Sequence, residues 1–162
     1  MAIYWYSPLH AYSIEHMTNK AQLRRQLLAA LPPAVATPSA DMIAQFRKLQ
    51  PLSSIGRALA YYPLPGEIDP MPLLATLDES VMVDFVPQSP SAALPTLEYD
   101  LILIPCLGYT ADGYRLGRGG GWYDRLLATQ SGTLSVGLAQ GRSLVSFTPE
   151  QHDVPLAHIL AA

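Results

Sequence analysis

An α/β domain built on a largely parallel sheet is what this sequence predicts, and three observations lead there. Apolar runs of strand length alternate with helical patterns, which favours parallel strands joined by right-handed crossovers. One of those runs, Asp100-Leu-Ile-Leu-Ile-Pro105, is apolar between its ends, as a strand covered on both faces should be. The chain has 162 residues, 49% hydrophobic and 14% charged, which suits one domain with a sizeable core. No internal repeat or low-complexity tract marks a second domain.

The elements follow in chain order. Residues 1–17 are aromatic and irregular. They read as an N-terminal extension or as an arm packed on the body, and Met17-Thr-Asn-Lys-Ala-Gln also looks like a natural start. The domain itself is placed at 18–162. Asn19 to Leu31 is the first helix, with Asn19 as its cap and Gln22 three residues on, as in a capping box. Leu23, Leu27, Ala30 and Leu31 form its apolar stripe, and Pro32-Pro33 ends it. Asp41 to Leu49 is a second helix, with Met42, Phe46 and Leu49 on one side. Ala58 to Tyr62 is the first strand and Pro63-Leu-Pro-Gly66 a turn. Asp69 can cap a third helix from Pro70 to Leu77. Val81 to Val86 is the second strand, and Pro87 to Pro95 a loop rich in Pro, Ser and Ala. Leu101 to Ile104 is the third strand and Leu134 to Ala139 the fourth. A short helical turn is expected within Phe147 to Leu156, and Ile159-Leu160 adds a brief final strand.

Composition excludes several function classes. A formal net charge of −3 argues against general binding to nucleic acid or anionic membranes. A single cysteine, Cys106, leaves no internal disulfide, and the four histidines lack metal-ligand spacing. No apolar run approaches the ~20 residues of a membrane span. The N-terminus has neither a basic n-region nor a long h-region, so no signal peptide is expected and a cytoplasmic location is the default. Oligomeric state is not legible, and a monomer is the working expectation.

The chemistry is concentrated in Gly113-Tyr-Arg-Leu-Gly-Arg-Gly-Gly-Gly-Trp-Tyr-Asp-Arg-Leu-Leu127. Four of the five residues from Gly117 to Gly121 are glycine, and Arg115, Arg118 and Arg125 flank or interrupt them. The order is strand, loop, glycine-rich turn, helix from Trp122 to Ala128. Glycines let successive N–H groups face an anion, and arginines add permanently charged planar donors. Asp124, just inside the helix, could hold a hard cation that bridges phosphates. The stretch is neither a Walker loop nor a dinucleotide fingerprint, because no Gly-Lys-Ser/Thr follows and Trp122 stands where the last fingerprint glycine would be. On general principles it is an anion site suited to a nucleotide.

Lys20 and Arg24, four residues apart, share one helix face; they are either solvated surface charge or a pair with an anion between them. Glu67 and Asp69 follow a strand, where open α/β sheets bind ligands, or they simply favour a helix N-terminus. Asp153 is a further candidate site carboxylate.

Arg115-Leu-Gly-Arg-Gly-Gly-Gly-Trp-Tyr-Asp-Arg125 resembles the signature of the 5-formyltetrahydrofolate cyclo-ligase (5,10-methenyltetrahydrofolate synthetase) family, Arg-Leu-Gly-x-Gly-x-Gly-Tyr-Tyr-Asp. Four further pieces resemble the family in chain order. They are Lys20-Ala-Gln-Leu-Arg24, Tyr62-Pro-Leu-Pro-Gly-Glu-Ile-Asp69, Asp100-Leu-Ile-Leu-Ile-Pro105 and Pro149-Glu-Gln-His-Asp153. The resemblance runs from about residue 18 to the end.

It implies a three-layer, Rossmann-like α/β sandwich and an ATP- and Mg²⁺-dependent conversion of 5-formyltetrahydrofolate to 5,10-methenyltetrahydrofolate. The implied partners are the small molecules ATP and a reduced folate. By position, Lys20, Arg24, Arg115, Gly117, Arg118, Gly119, Gly120, Gly121, Trp122 and Tyr123 would bind ATP, with Arg115 and Arg118 acting in catalysis. Leu64, Glu67, Asp69 and Arg118 to Trp122 would border the folate, and Asp124 and Asp153 would hold Mg²⁺. Two departures stand out. Pro87 to Pro95 is shorter than the family's middle section, and Trp122 replaces the first tyrosine of the pair, losing a phenolic hydroxyl. A non-catalytic ATP- or folate-binding homologue, or an ATP-dependent enzyme for another pterin-like substrate, is the alternative expectation.

Overall fold

The computed structural model describes residues 19–50, 52–87, 91–141 and 143–162. The expected extension at 1–17 and residues 88–90 of the Pro87–Pro95 loop lie outside them.

Five parallel strands make one sheet: β1 (Arg57–Ala60), β2 (Met82–Phe85), β3 (Leu101–Cys106), β6 (Leu134–Ala139) and β7 (His158–Ala161). Their order is β2-β1-β3-β6-β7, so the chain grows to one side of β1 and then crosses back to build the other side from β3. Between β3 and β6 lies a small antiparallel hairpin, β4 (Gly108–Tyr109) with β5 (Arg115–Leu116).

Alternating side chains of the central strands feed two separate cores, as the two-residue period of a strand requires. Leu101 and Leu103 face the side covered by α2 (Ala40–Arg47) and α3 (Met71–Leu74), with Met42, Phe46 and Leu73 fully buried there. Ile102, Ile104 and Cys106 face α4 (Trp122–Leu127), against Trp122, Leu126 and Leu127. The result is the expected three-layer α/β sandwich.

The first helix, α1 (Lys20–Ala30), is not one of those layers. Leu23 packs with Leu116, Val145 and Phe147, so α1 covers the β4–β5 hairpin. Asn19 caps α1 by accepting from the Ala21 and Gln22 N–H groups at 2.9 and 3.4 Å. The apolar stripe is shorter than expected. Leu23 is buried and Leu27 half-buried, but Ala30 is exposed because the helix has by then run past the hairpin. Leu31 lies against the turn at Gly66, where any Cβ would collide with it.

Three other elements differ from expectation. The third helix is four residues long instead of eight. Residues Gln151 and His152 form a turn that leads into no helix. The β4–β5 hairpin stands where a loop was expected. Its turn uses Thr110-Ala-Asp-Gly113, with Gly113 at φ +86° and the Tyr114 N–H donating to Thr110 Oγ1 at 3.1 Å. The Asp-Gly pair was the available hairpin signal.

Candidate active site

A cavity of about 590 Å³ opens beyond the C-terminal ends of β1 and β3. This is the point where the strand order reverses, so the loops leaving β1 and β3 diverge and a crevice remains between them. Tyr61 and Tyr62 leave β1 into its wall, Val86 and Pro87 leave β2, and Cys106 and Leu107 close β3.

The glycine-rich turn forms one side. A Cβ at Gly117 would collide with Nη1 of Arg115, so a larger residue there would displace the guanidinium. Gly121 starts α4 at φ +63°, a left-handed conformation costly for other residues. Because α4 has only six residues, the positive potential rests chiefly on side chains. Arg115 is brought in by β5 and is 9% exposed. Its guanidinium lies 4.9 Å over the Tyr123 ring, and one Nη donates to Asp124 Oδ2 at 3.3 Å. Its Nε is buried with no hydrogen-bond partner in the protein. An orphaned, charged donor beside the cavity fits a phosphate oxygen, since leaving it unmade costs about 1–3 kcal/mol.

Opposing charges meet around the rim. Lys20 Nζ is ion-paired with Asp153 and lies 3.1 Å from Glu150 Oε2. Arg24 donates from Nε to the Gly117 carbonyl at 2.9 Å, which fixes the turn against α1. Arg118 Nε donates to Glu67 Oε1 at 3.0 Å, while Glu67 Oε2 accepts from the Leu64 N–H at 2.9 Å. Asp124 Oδ1 accepts from the Val154 N–H at 3.3 Å, so the second acidic segment is held beside α4. Burial alone would raise the Asp153 carboxyl. Hydrogen bonds from Lys20 and the Glu150 N–H, with the Lys20 and His152 charges, hold it below its ordinary value instead. Burial raises the Tyr123 phenol against the opposing Arg115 charge, so that ring stays neutral and serves as a surface.

Every residue expected at the site lines this cavity except one. Lys20, Arg24, Leu64, Glu67, Arg115, Gly117 to Gly121, Trp122, Tyr123, Asp124 and Asp153 converge on it from four separate segments. Asp69 does not line it. Its Oδ1 accepts the Met71 N–H at 3.0 Å and so caps α3. Sequence reasoning passed over Tyr61, Tyr62, Cys106, Glu150 and His152, which also line the cavity. The strand-end rule was signal enough for the first three. Glu150 and His152 sit in the same short segment as Asp153.

The donor set also fits a hard divalent cation. Asp124, Asp153 and Glu150 offer carboxylate oxygens at one cavity, and ligand atoms of Glu150, His152 and Asp153 lie within 4.8 Å of one another. A small hard cation needs only one or two carboxylates when phosphates supply the rest. Among the described residues, no helix is long and apolar enough to cross a membrane.

The chain is also similar to known proteins. Residues 85–162 match the model of the 5-formyltetrahydrofolate cyclo-ligase family. The chain is 42% identical over 65 residues to a 5-formyltetrahydrofolate cyclo-ligase of Mycolicibacterium smegmatis, covering 39% of this chain and 34% of that protein. It is 41% identical over 70 residues to the one of Haemophilus influenzae, covering 41% and 37%. The matched stretch thus spans about a third of the length of these curated relatives. The fold is similar to that of the 5,10-methenyltetrahydrofolate synthetase from Mycoplasma pneumoniae, with a TM-score of 0.65 at 23% identity over 88% of this chain and 98% of that one. It is also similar to that of the Aquifex aeolicus 5,10-methenyltetrahydrofolate synthetase, with a TM-score of 0.64 at 21% identity over 88% and 89%. Lys20, Arg24, Leu64 and Glu67 precede the matched span, so the cavity's geometry is what joins them to the glycine-rich turn. Residues 85–162 therefore match the model of the 5-formyltetrahydrofolate cyclo-ligase family, on a chain whose three-layer fold is similar to that of two methenyltetrahydrofolate synthetases.

Proposed function

We propose that the protein converts 5-formyltetrahydrofolate to 5,10-methenyltetrahydrofolate with consumption of ATP and release of ADP and phosphate. The observation that carries this reading is the cavity at the strand-order reversal. It joins the family's glycine-rich turn to Lys20 and Arg24 on one side and to Glu67 on the other.

In this reading Lys20, Arg24, Arg115 and Arg118 bind the nucleotide phosphates, and the backbone from Gly117 to Gly121 cradles them. Asp124 and Asp153 would hold Mg²⁺, which when bound neutralises phosphate oxygens. The formyl oxygen takes the terminal phosphoryl group of ATP. The second folate nitrogen then attacks the formyl carbon and gives up its proton to solvent, the carbon–oxygen bond breaks, and phosphate departs with that oxygen. Arg115 and Arg118 stabilise charge on the transferring group, and Glu67 accepts hydrogen bonds from the pterin edge. Most of the acceleration comes from positioning and fixed charge rather than covalent chemistry. The reaction uses soluble small molecules, in keeping with a cytoplasmic enzyme.

The test is direct. Incubation with 5-formyltetrahydrofolate, ATP and Mg²⁺ should give the near-ultraviolet absorbance of the methenyl product. Thermal stabilisation by Mg-ATP with no product would sink this reading. It would favour a binding homologue or another pterin-like substrate, a possibility that the short Pro87–Pro95 connection keeps specific.

A further inference from the structure

Trp122 carries one of this chain's two departures from the family pattern, and the structure ties it to the other. Its indole is 7% exposed and lies in the core between the sheet and α4. The indole N–H donates to the carbonyl of Ala92 at 3.1 Å. Ala92 belongs to the short connection between β2 and β3, 30 residues earlier in the chain. That connection leaves the sheet at Val86, whose N–H donates to Ala60 at 2.8 Å, and Val86 and Pro87 line the cavity. Leu94 packs on the same core cluster as Trp122. On its other side Trp122 meets Tyr123 edge-to-face at 5.1 Å, and Tyr123 carries the Arg115 guanidinium on its ring.

The described residues of this connection, between Phe85 and Leu101, hold no helix or strand, so they cannot stiffen a pocket wall through secondary structure of their own. Rigidity has to be borrowed, and one partly buried hydrogen bond from a ring packed in the core supplies it. A tyrosine or phenylalanine ring at 122 would lack a donor at the indole N–H position.

We propose that Trp122 is a positioning residue. Its N–H clips the 91–95 segment to α4, so that the wall for the second substrate is held in register with the phosphate turn. The inference rests on the proposed substrate pair, and it assigns the loss of the family tyrosine a specific compensation.

The experiment uses the full chain in a Trp5→Phe background. There Trp122→Phe is compared with 3-benzothienylalanine at 122, which replaces N–H by sulfur with almost no change of shape. The isostere keeps the test decisive if Trp122→Phe folds poorly. Two readouts are taken: amide exchange of peptides covering 91–99 and 122–128, and the Kd for 5-formyltetrahydrofolate in the presence of a non-hydrolysable Mg-nucleotide. Loss of this partly buried hydrogen bond should raise exchange roughly five- to tenfold at 91–99 alone and weaken folate binding by a similar factor. Exchange that is unchanged, or raised equally in both regions, overturns the clip. A local rise with unchanged folate affinity overturns the positioning role. Failure of the parent protein itself to bind 5-formyltetrahydrofolate overturns the substrate reading, while the exchange comparison still decides whether the clip exists.

Discussion

Lys20 on the first helix is ion-paired with Asp153, 133 residues later, and both side chains are about nine-tenths buried. The pair joins two segments that share no sheet contact, and it closes one end of the cavity. The Asp153 carboxyl is held below its ordinary 3.8. A carboxyl whose folded value lies under its unfolded one stabilises the fold above about pH 4. That contribution is lost as pH falls through the folded value. Lys20→Met should therefore flatten the dependence of the urea midpoint on pH below about 4, and lower stability at neutral pH by about 1.5–3 kcal/mol. An identical acid slope in both proteins would show that the pair is not coupled to folding.

Asp124 holds Arg115 through Oδ2 and the 154 backbone through Oδ1. If it is also a metal ligand, Asp124→Ala should lose activity and need at least about tenfold more Mg²⁺ for half-saturation. An unchanged Mg²⁺ titration would confine Asp124 to its structural contacts.

Arg118 pairs with Glu67 across the cavity, and its side chain is 40% exposed. Exposed pairs contribute about 1 kcal/mol or less to folding. Arg118→Ala should therefore melt within a few degrees of the parent while Mg-ATP affinity falls about tenfold, as read by calorimetry. Equal affinity in the two proteins would return Arg118 to the status of a surface charge.

Cys106 closes β3 at the cavity floor, and burial pushes its thiol up to about 12. The nearby Arg115 charge opposes that rise without reversing it. At pH 8 the native protein should react with an aromatic disulfide reagent at least about a hundred times more slowly than the urea-unfolded chain. Since Cys106 is the only cysteine, the release reports this one site. Rapid native labelling would mean that the β3 end opens.

Much of the fold was legible because the buried strands announce themselves. Leu134–Ala139 was placed to the residue, and Leu101–Ile104 needed only two more residues. Arg115 and Arg118 were legible too, because arginines among glycines before a helix have few other uses, whereas Glu150 and His152 were not. What escaped was set by distant parts of the chain. The β4–β5 hairpin is two residues wide on each side, too short for periodicity to register. Ala30 lies on the apolar stripe of α1, but the hairpin beneath it ends too soon. Glu67 and Asp69 are two apart; Asp69, just before Pro70, was legible as a cap of the third helix, and only the three-dimensional turn at Gly66 keeps it out of the cavity that Glu67 enters. The Ala36–Ile68 bridge and the Gln140 side chain on the Gly66 carbonyl at 2.8 Å hold that turn in place.

The cation–carboxylate pairs around the rim have a joint consequence. Lys20, Arg24, Arg115 and Arg118 face Glu67, Asp124, Glu150 and Asp153, four charges of each sign among the described residues lining the cavity. A cavity so balanced behaves like a small ion exchanger. A lone divalent cation meets carboxylates already neutralised, and a lone polyphosphate meets cations already engaged. When both arrive together, each would release partners that the other needs, and the pair brings in less net charge than the polyphosphate alone. Metal and nucleotide should then bind as a linked pair, each strengthening the other by the same factor.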